Sequence, residues 1–118
     1  DESLKNLFAP DSFITKKEDI AAVKQMILNT PKQSLYKTLR AFYERKETCS
    51  RLQDINVPVL IMVGKEDKIT PPAAAQLMHE KIKDSLMFIV EDAGHLCNME
   101  NPSEFNKLLE ELVSTVYY

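Results

Sequence analysis

An aspartate and a histidine, each a few residues past an apolar run, are the side chains of this sequence best suited to chemistry. Asp67 follows Val59-Leu-Ile-Met-Val63-Gly-Lys-Glu, and His95 follows Leu86-Met-Phe-Ile-Val90-Glu-Asp-Ala-Gly. A carboxylate that accepts the Nδ1 proton of an imidazole fixes its tautomer and stabilises imidazolium as it forms. A general base needs that support to take a proton from a hydroxyl nucleophile. Gly94 suits a positive-φ position or a close backbone approach, either of which would aim His95 out of the fold. Other titratable groups read more simply. Glu66 is a solvated neighbour of the acid and the one alternative position for it. Glu91 and Asp92 are turn residues, His79 is a surface residue in mid-helix, and Cys97 is packing. His79, His95 and the nearby acids have no metal-ligand spacing, so neither a metal nor a cofactor is expected.

The elements that must position this pair can be read from periodicity. Both apolar runs are β-branched-rich and continuous rather than alternating, as in parallel strands covered on both faces. Pro58 fits the first position of a strand, and Gly64 ends it. Thr70-Pro71 predicts a helix start. That helix runs to about Ile82 with Ala74, Leu77, Met78 and Ile82 inward. Asn101-Pro-Ser-Glu104 predicts the start of a last helix, whose Phe105, Leu108, Leu109, Leu112, Val113 and Val116 recur at helical spacing. Strand, helix, strand, helix implies two parallel strands joined by a right-handed crossover. Asp67 and His95 then open at one edge of the sheet, where open α/β sheets carry their ligand sites.

Residues 1–50 read as helical. Thr15-Lys-Lys-Glu18 has the form of a capping box, followed by Ile20, Val23, Ile27 and Leu28 on one face. Thr30-Pro31 stops that helix and starts another with Pro at its first position, striped by Leu35, Leu39, Phe42 and Tyr43. Phe8, Phe13, Phe42 and Tyr43 are expected in the core.

With 118 residues, 44% hydrophobic and 28% charged, the chain fits one small globular domain. A net charge of −3, with Lys16-Lys17 as the only basic doublet of note early in the chain, argues against the basic face that nucleic acid or an anionic membrane surface would require. Cys49 and Cys97 match no metal or redox spacing, which suggests unpaired thiols in a reducing compartment. No apolar run approaches the ~20 residues of a membrane span. A cytoplasmic location is the expectation, although Asp1-Glu2 without an initiator Met leaves room for a removed leader.

Acid before histidine, each after a strand, agrees with the Ser…Asp/Glu…His order of one hydrolase architecture. The stretch from Leu52 to about Val113 resembles the C-terminal end of the α/β-hydrolase superfamily. The residues that carry the resemblance are Ile55-Asn-Val-Pro-Val-Leu-Ile-Met-Val-Gly-Lys-Glu-Asp67, Thr70-Pro-Pro72, Ala93-Gly-His95-Leu96 and Glu100-Asn-Pro-Ser-Glu-Phe105. It implies an α/β class and a partial α/β-hydrolase fold, with residues 1–50 a helical cap-like segment. Residues 51–118 would be the last strand-helix-strand-helix of the core, Asp67 the triad acid and His95 the triad histidine. The family's nucleophile elbow needs Gly-x-Ser-x-Gly or a close relative. The chain has only Gly64 and Gly94, and none of its seven serines has that context.

Under the resemblance the elbow and the oxyanion loop lie upstream of Asp1. The chain is then expected to be a C-terminal piece of a serine hydrolase that cleaves an ester or related acyl bond of a small-molecule substrate, inactive by itself. The same fold with other chemistry (dehalogenase, epoxide hydrolase or carbon–carbon hydrolase) and a non-catalytic binding relative are the alternatives. The unpaired edge of the first strand predicts that the isolated chain self-associates as a homodimer.

Overall fold

A computed structural model describes residues 2–117. Its helices are α1 (Glu2–Leu7), α2 (Ser12–Thr15), α3 (Lys17–Asn29), α4 (Lys32–Glu44), α5 (Pro72–Lys81), α6 (Cys97–Glu100) and α7 (Pro102–Tyr117), with a 3-10 helix over Cys49–Asp54. The strands β1 (Val59–Gly64) and β2 (Ser85–Val90) pair in parallel, from Val59 opposite Ser85 to Gly64 opposite Val90. The ladder extends past both ends, with Val59 N–H donating to Asp84 O at 3.0 Å and Lys65 N–H to Val90 O at 2.9 Å.

Successive side chains of a strand point to opposite faces, and β1 shows why its sequence does not alternate. Ile61 and Val63 pack with Ala75 and Ile82 on the α5 side. Leu60 and Met62 meet Val90, Ala93, Cys97 and Leu108 on the α7 side. Both faces are covered, so both sets of positions are apolar. β2 is different: Leu86, Phe88 and Ile89 are exposed, so neither of its faces is fully covered among the described residues.

A third cluster joins the N-terminal helices to the segment that follows His95. Leu4, Phe8 and Val23 pack with Leu7, Ile20, Leu96 and Met99. Phe8 has no exposed surface and meets Phe13 edge-on at 6.3 Å. Burying one such side chain contributes about 1.5–3 kcal/mol. An exposed i,i+4 pair such as Arg40–Glu44 is worth only about 0.3–0.5 kcal/mol. The cluster around Phe8 thus ties α1 and α3 to Leu96 and Met99.

Several local expectations are corrected. Thr15 does not cap α3: its hydroxyl donates to Asp11 O, and Lys16 occupies the N-cap with no side-chain bond. Pro31 is the N-cap of α4, one position earlier than expected, while the Thr30 hydroxyl closes α3 by donating to Met26 O. The apolar stripe of α4 exists but is not core. Leu35, Leu39, Phe42 and Tyr43 are exposed and α4 buries no residue. In α5 the buried residue is Ala75, with Ile82 buried at the C-cap, whereas Ala74, Leu77 and Met78 face an open cleft. The Asn101–Glu104 start holds: Glu104 N–H donates to Asn101 Oδ1 at 3.3 Å, and Asn101 Nδ2 to Glu104 Oε2 at 3.0 Å. No helix among the described residues is long and apolar enough to cross a membrane.

Candidate active site

The loop after β1 is shaped by Asp67 itself. Asp67 N–H closes a tight turn onto Gly64 O at 3.1 Å. Its Oδ1 accepts the backbone N–H groups of Ile69 and Thr70, both at 2.9 Å. Its Oδ2 accepts the Thr70 hydroxyl at 3.0 Å and contacts His95 Nδ1 at 2.9 Å. Aspartate accepting from backbone two and three residues on is a local turn device, and here it also fixes the outer oxygen toward the histidine. The Asp67 side chain is 4% exposed and that of His95 33%. Burial alone would raise the Asp67 pKa. The Thr70 and Ile69 N–H groups, His95 and the Thr70 hydroxyl outweigh it and hold the carboxyl below its ordinary value.

The loop after β2 is pressed between two other segments. Asp92 adopts a φ of 51°, so the left-handed residue of this turn is Asp92 and not Gly94. Gly94 serves close approach instead: a Cβ there would lie 2.8 Å from Ala9 N and from Phe8 C. On the other side, a Cβ on Gly64 would lie against the Gly94 carbonyl oxygen and 2.5 Å from that of Ala93. Glu66 N–H donates to Ala93 O at 2.9 Å, which ties the two loops directly. Leu7 O accepts His95 N–H at 2.9 Å and Leu96 N–H at 3.3 Å.

An ionised carboxylate can only accept, so the proton between Asp67 and His95 belongs to Nδ1. Nε2 is then the basic nitrogen. It is the tautomer that can take a proton from a hydroxyl. Beside the pair lies a cleft of about 360 Å³, apolar along Ile61, Val63, Ala75, Leu77 and Met78 and polar where Asp67, Thr70 and His95 meet.

The structure thus brings Asp67 and His95 together and leaves the alternatives apart. Glu66 is exposed and contributes its backbone N–H. Glu91 pairs with Lys65 at 2.8 Å, a bond that raises the lysine pKa. His79 is half-buried rather than a surface residue, with Nδ1 2.8 Å from Ser85 Oγ. Cys97 packs against Val90, and burial pushes its thiol pKa up. Cys49 and Cys97 are both free thiols. Among the described residues no group of three or more His, Cys, Asp or Glu could hold a metal ion.

Two participants were not anticipated. Thr70 reads in the sequence as a helix start, yet its hydroxyl lies 3.0 Å from Asp67 Oδ2 and 3.2 Å from His95 Nδ1. Its spacing of three from an aspartate at a turn was the available signal. Glu100 is buried at 3% exposure and bonds to both the N-terminal segment and the His95 turn. The available signal was its place in the Glu100-Asn-Pro-Ser-Glu-Phe105 motif, which assigns it no role. Thr70→Val, which keeps the shape and removes one donor, is expected to raise the Asp67 pKa. A carboxylate whose folded pKa is depressed adds stability above its unfolded pKa of about 3.9, and that stability is lost as pH falls through the folded value. Urea midpoints from pH 3 to pH 7 should therefore fall on the acid side in the unsubstituted protein. Thr70→Val should shrink the rise from acid to neutral pH, and an unchanged rise would mean that the hydroxyl does not act on Asp67.

The family model for the alpha/beta hydrolase fold matches residues 8–102. The chain is 35% identical over 71 residues to the proline iminopeptidase of Saccharolobus solfataricus, an overlap of 60% of this chain and 23% of that protein. It is 29% identical over 107 residues to 3-oxoadipate enol-lactonase 1 of Acinetobacter baylyi, covering 90% and 40%. A solved thermophilic esterase from Thermogutta terrifontis superposes at a TM-score of 0.96 with 29% identity, over 99% of this chain and 43% of the esterase. The chain spans less than half the length of each of these proteins.

Proposed function

The chain belongs to the alpha/beta hydrolase family, and from that premise we propose that it is the acid-and-histidine part of a serine hydrolase. The observation that carries this is the 2.9 Å contact of Asp67 Oδ2 with His95 Nδ1 at one sheet edge, beside an apolar cleft. The nucleophilic serine and the oxyanion donors belong to chain outside these 118 residues. The serine hydroxyl attacks an acyl carbon and its proton passes to His95 Nε2. The Asp67 carboxylate stabilises the imidazolium. That proton then goes to the leaving alcohol, and water repeats the sequence on the acyl-enzyme. No step needs a metal or an organic cofactor.

Relatives named for a peptidase, a lactonase and an esterase all have acyl carbons as targets, which favours an ester or related acyl bond in a small molecule. The test uses two preparations. The 118-residue chain should hydrolyse an activated short-chain ester no faster than a histidine-bearing surface does. The longer protein that contains it should hydrolyse the ester and lose activity to a serine-directed organophosphate. Organophosphate-sensitive turnover by the short chain would put the nucleophile within it. A longer protein inert to the reagent would overturn the serine reading.

A further inference from the structure

Glu100 is the most buried carboxylate of the described chain, and it binds across the fold rather than along it. Its Oε1 accepts Ala9 N–H and the Ser12 hydroxyl, each at 2.7 Å, and its Oε2 accepts Gly94 N–H at 2.7 Å. Bonds this short to a carboxylate are among the stronger and more directional in proteins. Gly94 immediately precedes His95, whose own N–H is taken by Leu7 O on the same N-terminal segment. The turn is thus gripped at two successive residues. The missing Cβ at position 94 lets the backbones of Phe8–Ala9 and Gly94 come close enough for one carboxylate to span them. Apolar side chains of equal size could join the two segments with no desolvation cost, but they would not fix the direction of the turn.

We infer that Glu100 is a positioning residue of the hydrolytic site, setting the aim of His95 by clamping its turn to residues 9–12. The inference rests on the hydrolase reading above. Glu100→Gln keeps the volume, but the amide can offer an acceptor to only one side of the clamp. Either Gly94 N–H or Ala9 N–H then faces another donor.

The experiment is made in the longer protein. Glu100→Gln is expected to lower kcat roughly 10- to 100-fold, the scale of an ångström-sized misplacement, with KM within about twofold. The rate of organophosphate labelling should fall in proportion, and the downfield proton resonance of the Asp67–His95 hydrogen bond should shift or broaden. A Glu100 that serves stability alone would lower the melting temperature while kcat per labelled site stayed unchanged, and that result overturns the inference. Should Glu100→Gln fail to fold, Ser12→Ala removes a single donor. About a threefold loss of kcat at constant KM supports the clamp, and an unchanged kcat overturns it. If the unsubstituted protein resists the reagent and His95→Ala has no effect on turnover, the hydrolase reading falls and takes this inference with it. If both behave as expected and only the Glu100 and Ser12 variants are silent, the clamp alone is wrong.

Discussion

Asp67→Asn, made in the longer protein, is expected to preserve the fold and lower kcat by up to about 10⁴-fold. The carboxamide can keep its oxygen on the Ile69 and Thr70 N–H groups, so the turn survives. Its nitrogen then replaces Oδ2 and points an N–H at His95 Nδ1. Nδ1 must become an acceptor, the proton moves to Nε2, and the base is lost. His95→Ala should be at least as damaging. The double variant should cost far less than the product of the two effects, because members of one catalytic unit are strongly non-additive. His79→Ala breaks only the contact with Ser85 and should leave kcat within about twofold. Steady-state kinetics on an activated ester decide the matter. A mild Asp67→Asn beside a severe Glu66→Gln would move the acid by one residue, and two mild effects would end the triad reading.

Gly64→Ala is the second large effect, and it acts through space rather than charge. No glycine of the described chain has a positive φ, so alanine suits the backbone of residue 64. The obstacle is what faces it. The new methyl would meet the carbonyl oxygens of Gly94 and Ala93, and the Ala93 carbonyl carbon at 2.8 Å. These are backbone atoms of a turn already held from behind by Leu7 O and Glu100, and they cannot rotate away. Overpacking commonly costs about 1–3 kcal/mol and occasionally more; this site belongs at or above the top of that range. Because the two loops are pushed apart, kcat should fall along with the urea midpoint. A variant with stability within about 0.5 kcal/mol of the parent would show that the loops are not packed in this way.

The parts of this fold that were legible in the sequence are those governed by local rules. Continuous apolar runs located both β1 and β2, although only β1 is covered on both faces. The Asn101–Glu104 cap opened α7 where expected, and the family motif brought Asp67 and His95 to one edge. Local rules failed where contacts distant in sequence decide. Thr15 has the right spacing for a capping box, but the α2 turn claims its hydroxyl for Asp11 O. The stripe of α4 has helical period, but nothing among the described residues covers it. Thr70 has the pattern of a helix start, yet its hydroxyl lies between the acid and the histidine. Glu100 opens a motif that the sequence shows, but its bonds are not legible there, since its partners at Ala9 and Ser12 lie about ninety positions away.

That last separation governs when the site forms. Ala9 and Glu100 are 91 residues apart, and closing a loop of that length costs about 4 kcal/mol of chain entropy by the logarithmic length term alone. The β1–α5–β2 unit closes over a few tens of residues and has no need of that contact. Its strands can pair early, while the turn carrying His95 gains its direction only when residues 7–12 dock against it. On partial unfolding the order reverses: release of Leu7–Ser12 frees the imidazole while the ladder is still intact. If the proposed function holds, turnover of the longer protein is expected to be lost before strand protection on partial unfolding, and hydrogen exchange at the His95 amide is the measurement that checks it.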